Sequence, residues 1–326
     1  MAVIFFQNKR YPDTVLDSQS GQEFQFPHTR GVAYHNNDTL FASGVAEVGD
    51  VHYTHCPTAS LSVLKKWVTK TFGDEVPNES EYTPGTVYKR IYRPNASTGN
   101  FYRAISQEKL TESFVSLRIL LNKLEQLFEV IEPTPENLTV YGHKIREILL
   151  LACMEVESSW SAVLKENGYP TNGQPFTTRD YVKLLTPMLL DSYELTLQQY
   201  PHFPSFYPFK NWDVNHPTQS LEWYDAYNKT KHDREENLKF ATLNNSVQAV
   251  GAAVVMIYAQ FSPNFGISPS FALRDQKSPV IKNIFRTVTS FQNHWQECYI
   301  PKMDVIPNSS PTPTPSFDWK PVNYNF

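Results

Sequence analysis

The alternation of apolar and polar positions changes rhythm once along the chain, near residue 105. Before that point, short runs mix aromatic and β-branched residues: "AVIFF", "EFQFPH", "GVAYH", "TLFASGVAEVGDVHYTH" and "TVYKRIYRP", separated by Gly, Pro, Asn and Asp. Such runs predict short strands joined by turns. Residues 58–73 are the exception: Leu61, Leu64, Trp67, Val68 and Phe72 recur at helical spacing, and Gly73 supplies a stop. Residues 1–104 are therefore expected to form a small α+β region.

After that point the period lengthens to that of a helix. Ser106 suits an N-cap, and Leu110, Phe114, Leu117, Leu121, Leu124 and Phe128 follow every three or four residues until Pro133 and Pro135. A second helix is predicted over 139–167, closed by Gly168, and a third over 177–200, kinked or divided at Pro187. A fourth is predicted to run unbroken from Ser220 to Phe261. That helix would have about 40 residues and a length of about 60 Å. The fold expected is mainly α: an antiparallel four-helix bundle over 105–262, preceded by the α+β region. An irregular wrap follows over 263–326, holding a short helix within 278–300 and a Pro-rich tail whose Phe317, Trp319, Tyr324 and Phe326 can dock on the body.

Charge and composition narrow the function classes. The chain of 326 residues carries a formal charge of -4, so any polyanion must meet a local basic patch rather than the whole surface. Pro, at 24 residues, outnumbers Gly, at 12, which favours rigid loops over flexible linkers and disfavours glycine-rich phosphate cradles. Cys56, Cys153 and Cys298 are odd in number and lie far apart, a pattern of a reducing interior rather than of a disulfide framework. "MAVIFF" is followed at once by Gln7, Asn8, Lys9 and Arg10, so no secretory hydrophobic segment is formed. The most apolar run, 249–259, is too short to span a bilayer. A cytoplasmic protein without a membrane segment is expected.

The densest chemistry lies in "WYDAYNKTKHDREENLKF", residues 223–240. On a helix, Asp225, Asn228, Lys229, His232 and Glu236 share one stripe, while Trp223, Tyr227 and Leu238 share another, with Arg234 in line. His232 can accept and donate a proton near neutrality, and Lys229, Lys231 and Arg234 supply positive charge for phosphate. The same stretch equally fits the solvated edge of a core helix. On the second helix, Ile148, Ala152, Glu155 and Ser159 share an otherwise apolar stripe, so Glu155 either seeks a cation such as Arg234 or His232, or turns outward at the helix edge. His52, His55 and Cys56 have metal-ligand spacing but no second cluster to complete a site, and no metal is expected. There is no P-loop, Rossmann glycine set, G-x-S-x-G or H-E-x-x-H, and no cofactor is expected.

The run Asn228-x3-His232, placed at the head of a last bundle helix, resembles the Asn-x3-His half of the Arg-x4-6-His motif of the HEPN superfamily. The wider pattern "PFKNW…W..YNKTKHDR…F..ATL.N" is similar to a group of uncharacterised bacterial proteins. The resemblance covers residues 105–262. It implies RNA as a partner, a homodimer, and a metal-independent endoribonuclease of phage defence or a toxin–antitoxin module. In that implied mechanism a 2′-OH attacks the adjacent phosphate, His232 is general acid or base, Arg234 and Lys231 stabilise the phosphorane, and Asn228 orients. A polar residue on an earlier helix, here Glu155, faces the motif. The departure is at the motif arginine, where this chain has Tyr227; Ala226 and Asp225 occupy the other permitted spacings. Loss of cleavage, leaving a bundle that dimerises and binds a protein partner, is the alternative expectation.

Overall fold

The computed structural model describes residues 2–9, 14–16, 23–25, 30–44, 51–58, 60–93, 106–171, 173–261, 284–289, 299–300, 302–306, 312–315 and 318–326. In chain order the elements are β1 (Val3–Gln7), β2 (Thr14–Leu16), β3 (Glu23–Gln25), β4 (Arg30–Asn36), β5 (Thr39–Gly44), β6 (Val51–His55) and α1 (Leu61–Phe72). Then come β7 (Asn78–Ser80), β8 (Thr86–Tyr88), α2 (Gln107–Phe128), α3 (His143–Glu166), α4 (Thr178–Tyr181), β9 (Tyr193–Leu197) and α5 (Glu222–His232). The last are α6 (Arg234–Asn237), α7 (Leu243–Phe261), β10 (Phe285–Thr289), β11 (Met303–Ile306), β12 (Thr312–Pro315) and β13 (Lys320–Val322).

The chain forms two compact units, neither continuous in sequence. One comprises Met1–Val87, Arg93–Ala104 and Gln292–Pro321; the other comprises Tyr88–Tyr92, Ile105–Phe291 and Val322–Phe326. This differs from the expected succession of segments 1–104, 105–262 and 263–326, because the C-terminal stretch is shared between both units.

The first unit is built on an antiparallel sheet of order β6-β5-β4-β1-β7. Alternation in its strands sorts side chains to two faces. Ile4, Phe6, Ala33, Leu40 and Ala42 pack with Leu64, Val68 and Phe72 of α1. The expected stop of α1 is present, with Gly73 at φ 80°, the left-handed conformation that suits glycine, and the Ser60 side chain caps its start by accepting from Val63 N. Val3, Phe5, Val32, Tyr34 and Phe41 are also buried. At this second face Met303 N donates to the Tyr34 hydroxyl at 2.6 Å, and Asn36 Nδ2 donates to Met303 O at 3.0 Å. β11, which starts at Met303, pairs antiparallel with β12.

The second unit is helical at its centre. α3 and α7 pack against each other, flanked by α2 and α5. Ser106 caps α2 by accepting from Lys109 N, as its sequence predicts. The ion pairs Lys123–Glu147 (2.7 Å) and Lys109–Glu166 (2.6 Å) run α2 and α3 antiparallel. Tyr324 and Phe326 pack on this unit, Tyr324 against Tyr88 and Phe326 against Tyr169. Gly251 of α7 lets Phe206 approach: a Cβ there would lie 2.7 Å from the Phe206 ring.

The expectation of a mainly α protein, an antiparallel four-helix HEPN-like bundle with a small α+β region and an irregular extension, is corrected. The fold is mixed α/β, with a five-stranded antiparallel sheet beside its helices among the described residues. Within the supposed bundle, the helix predicted over 177–200 is absent. α4 has four residues, Leu189 is left-handed at φ 51°, and Tyr193–Leu197 is a strand paired antiparallel with β10. The physical reason lies in two features: Pro187 removes a helical donor, and Tyr193, Leu195 and Leu197 are buried while Glu194 and Thr196 are half-buried, a period of two. The helix predicted over 220–261 is also divided. Asp233, in extended backbone at φ -140°, ends α5, and its side chain accepts from Glu236 N to start α6. Of the short helix expected within 278–300, residues 284–289 and 299–300 are described, and Phe285–Thr289 is strand β10; the other residues of that stretch and Phe317 lie outside the described residues.

Among the described residues no helix is long and apolar enough to cross a membrane. α7 holds the most apolar run and is buried along nearly its whole length, which is why that run lacks the polar face of its neighbours.

Candidate functional site

α5 has two unlike ends. At its start Trp223, Tyr224, Ala226 and Tyr227 are buried. Trp223 Nε1 donates to Pro208 O at 2.9 Å, and Trp160 of α3 stacks on Trp212 with ring centres 4.9 Å apart and meets Tyr224 at 5.4 Å. The Tyr224 hydroxyl donates to Glu157 Oε1 at 2.5 Å, and the Tyr227 hydroxyl donates to Glu157 Oε2 at 3.3 Å. Lys231 hydrogen-bonds Tyr227 in turn, and its Nζ lies 5.0 Å from that ring centre. The hydrogen bond to Tyr227 raises the Lys231 pKa, while burial raises those of Tyr224 and Tyr227, so all three hold their protons at neutral pH. Cys153 sits behind this relay, and burial, then the charge of Glu157, pushes its thiol pKa well up.

At its end, α5 is tied to the first turn of α3. Arg146 donates from Nε (3.1 Å) and Nη2 (2.7 Å) to Thr230 O, placing a cation on the negative pole of the helix. Lys229 pairs with Asp225 at 2.6 Å and lies 4.6 Å over the Phe240 ring; Lys239 lies 5.6 Å over the same ring. His143 and Lys144 are exposed on the adjoining turn of α3, and an antiparallel bridge between Tyr141 and Thr242 joins the segments just outside it.

The six residues singled out in the sequence separate here. Lys229 and Lys231 are ordered by aromatic rings. Asn228 Nδ2 donates to Tyr224 O at 3.0 Å, one turn back, and not to His232. His232 and Arg234 are both exposed, on either side of the break at Asp233, and among the described residues the side chain of neither makes a hydrogen bond or an ion pair. Glu155 reaches neither of them. It is half-buried on another face of α3 and hydrogen-bonds Ser116 of α2; burial raises its pKa. The carboxylate that faces α5 is Glu157. Its position three residues before Trp160 is the signal in the sequence, since that spacing puts it on the aromatic face.

The face of α3 that carries Glu155 opens into a cleft of about 390 Å³ between α2, α3 and α7. Sequence reasoning missed this cleft. Its signal is the continuation of the Glu155 stripe into small residues, Ser159 and Ala162, opposite Ser113 and Ser116 of α2. One end is closed by Arg90, which is bonded to Glu166 (3.2 Å) and Gln260 (2.7 Å), and by Lys109 on the same Glu166 oxygen (2.6 Å). Burial lowers the Arg90 pKa against the opposing pull of Glu166, and its guanidinium stays charged in either surrounding. Among the described residues no three His, Cys, Asp or Glu side chains come close enough to share a metal; His35 Nε2 meets the backbone oxygen of Cys56 at 3.0 Å.

Comparisons of the chain with protein-family models, with curated proteins and with solved structures find no match.

Proposed function

We propose that the second unit binds RNA at the corner where the end of α5 meets the start of α3, and that it holds the strand there without cutting it. The observation that carries this reading is the Arg146–Thr230 contact. It brings cations separated by about eighty positions to one place, with Lys144 and Arg146 on α3, Lys231 at the end of α5 and Arg234 at the start of α6. Aromatic rings hold Lys229, Lys231 and Lys239 in fixed positions, which lowers the entropy cost of contacting phosphate. Tyr141, 53% exposed, offers a face for a stacked base. Asp233, Glu235 and Glu236 interrupt the positive potential at α6, so affinity is expected to be modest and strongly salt-dependent.

Binding is favoured over cleavage on geometric grounds. In-line attack by a 2′-OH needs a base and a phosphate-stabilising cation fixed about one reacting atom. His232 has no orienting partner among the described residues, its helix ends before Arg234, and Glu155 serves a different face. Such a ligand belongs to the cytoplasm.

Fluorescence anisotropy with labelled single-stranded RNA in EDTA tests the proposal. Binding is expected at low salt, with an affinity that falls as salt rises. Lys144→Gln and Arg234→Gln are each expected to lower the salt slope by about 0.7 for every phosphate no longer neutralised, with the RNA remaining full-length. No binding at low salt, or an unchanged slope in the double variant, sinks the reading. Cleavage abolished by His232→Ala would replace it with a ribonuclease.

A further inference from the structure

We infer that the cleft between α2, α3 and α7 is a binding site for a small hydroxylated amine of the amino-sugar kind, its ammonium seated on Glu155. The cleft is independent of the corner assigned to RNA. Its volume, about 390 Å³, lies in the range of small-molecule sites. Its walls are three helices, so its shape is set by packing that does not depend on a ligand.

Charge indicates the class. Arg90, Lys109, Glu112 and Glu155 are the ionisable side chains that line the cleft, and a further carboxylate, Glu166, is paired with both Arg90 and Lys109. Both cations converge on Glu166, with Glu112 on the exposed rim one turn along α2 from Lys109. Glu155 is left with a single hydroxyl partner, Ser116, and pairs with no cation among the described residues. A half-buried carboxylate in that state is stabilised by an incoming ammonium, which forms a charge-assisted hydrogen bond.

The remaining lining selects the body of the ligand. Ser113, Ser116, Ser158 and Ser159 contribute four hydroxyls, and Ser113 already donates to Lys109 O at 2.9 Å, leaving its oxygen as an acceptor. The side-chain hydroxyls of Ser158 and Ser159 make no hydrogen bond within the protein among the described residues. Apolar cover is limited to Leu117, Ala162, Ala253 and Ile257. A polyol framework matches this wall, whereas an aliphatic diamine would leave the hydroxyls unused.

Thermal-shift and calorimetric titrations of the intact chain with D-glucosamine test the inference, with D-glucose, N-acetyl-D-glucosamine and putrescine as comparisons. Glucosamine is expected to bind and to stabilise the protein, and the other three to bind at least about tenfold more weakly, because each lacks either the charge or the hydroxyls. Glu155→Gln is expected to weaken glucosamine binding by about tenfold while the unliganded variant melts no lower than wild type. That second readout separates loss of a ligand contact from loss of the fold. Absence of glucosamine binding, equal binding of glucose or putrescine, or an unaltered affinity in Glu155→Gln would each overturn the assignment.

Discussion

Glu155 and Glu157 stand two residues apart on α3 and meet opposite surroundings. Glu157 faces α5, where the hydroxyls of Tyr224 and Tyr227 donate to both of its oxygens within an aromatic nest. Glu155 faces a cleft lined with serines, where one hydroxyl is its partner. The same helix therefore presents a closed, fully ordered face and an open, under-satisfied one. A rotation of about 200° between the two positions suffices to separate a packing role from a site available to a ligand.

The largest test of this contrast compares Trp160→Ala with Ser159→Ala. Trp160 is fully buried and touches Tyr181, Trp212, Trp223 and Tyr224, so its truncation is expected to cost about 3–5 kcal/mol in urea denaturation. Ser159→Ala is expected to stay within about 0.5 kcal/mol. Similar costs for both would erase the distinction between the faces. Because Trp160 Nε1 has no acceptor among the described residues, Trp160→Phe is expected to cost much less than the alanine variant.

A smaller effect is expected from Tyr224→Phe, which removes the shorter donor to Glu157. The expected loss is about 1–3 kcal/mol, measured by the same denaturation and rising if Glu157 finds no replacement water. A neutral result would mean that Glu157 is solvated and that the closed face is open after all.

The smallest effect belongs to Glu155. Burial raises its pKa in the folded protein, so between the ordinary and the raised value the folded state binds more protons than the unfolded one, and stability falls as pH rises through that window. Glu155→Gln is thus expected to stabilise the unliganded protein slightly at neutral pH, by less than about 1 kcal/mol. The advantage should vanish as pH falls below the ordinary carboxylate range. A variant less stable than wild type at neutral pH would show that the carboxylate is compensated in the fold.

Legibility in the sequence follows locality. α1 is evident from a stripe at helical spacing that ends at Gly73, and α2 from such a stripe behind the capping serine Ser106; both caps are present. The strand runs of the N-terminal region are evident from β-branched and aromatic content, although nothing local specifies the sheet order. β9 reads as helix because its five-residue alternation is set among other apolar residues, and its partner β10 lies about ninety positions later. The break between α5 and α7 is hidden for a different reason. Asp233 in a charged run has the composition of a solvated helix face, and only its backbone angles and its bond to Glu236 N reveal a cap. Of the site residues, the lysines at the end of α5 are legible through their charge. The partner of Glu155 is not, because a serine on another helix carries no signal in sequence spacing.

The burial of Cys153 has a kinetic consequence. Its thiol is 0% exposed and its pKa is pushed well up, so an alkylating reagent meets neither a surface nor a thiolate until α5 swings off α3. Modification at that sulfur is thereby gated by a local opening event, and its rate serves as a clock for how often the two helices part.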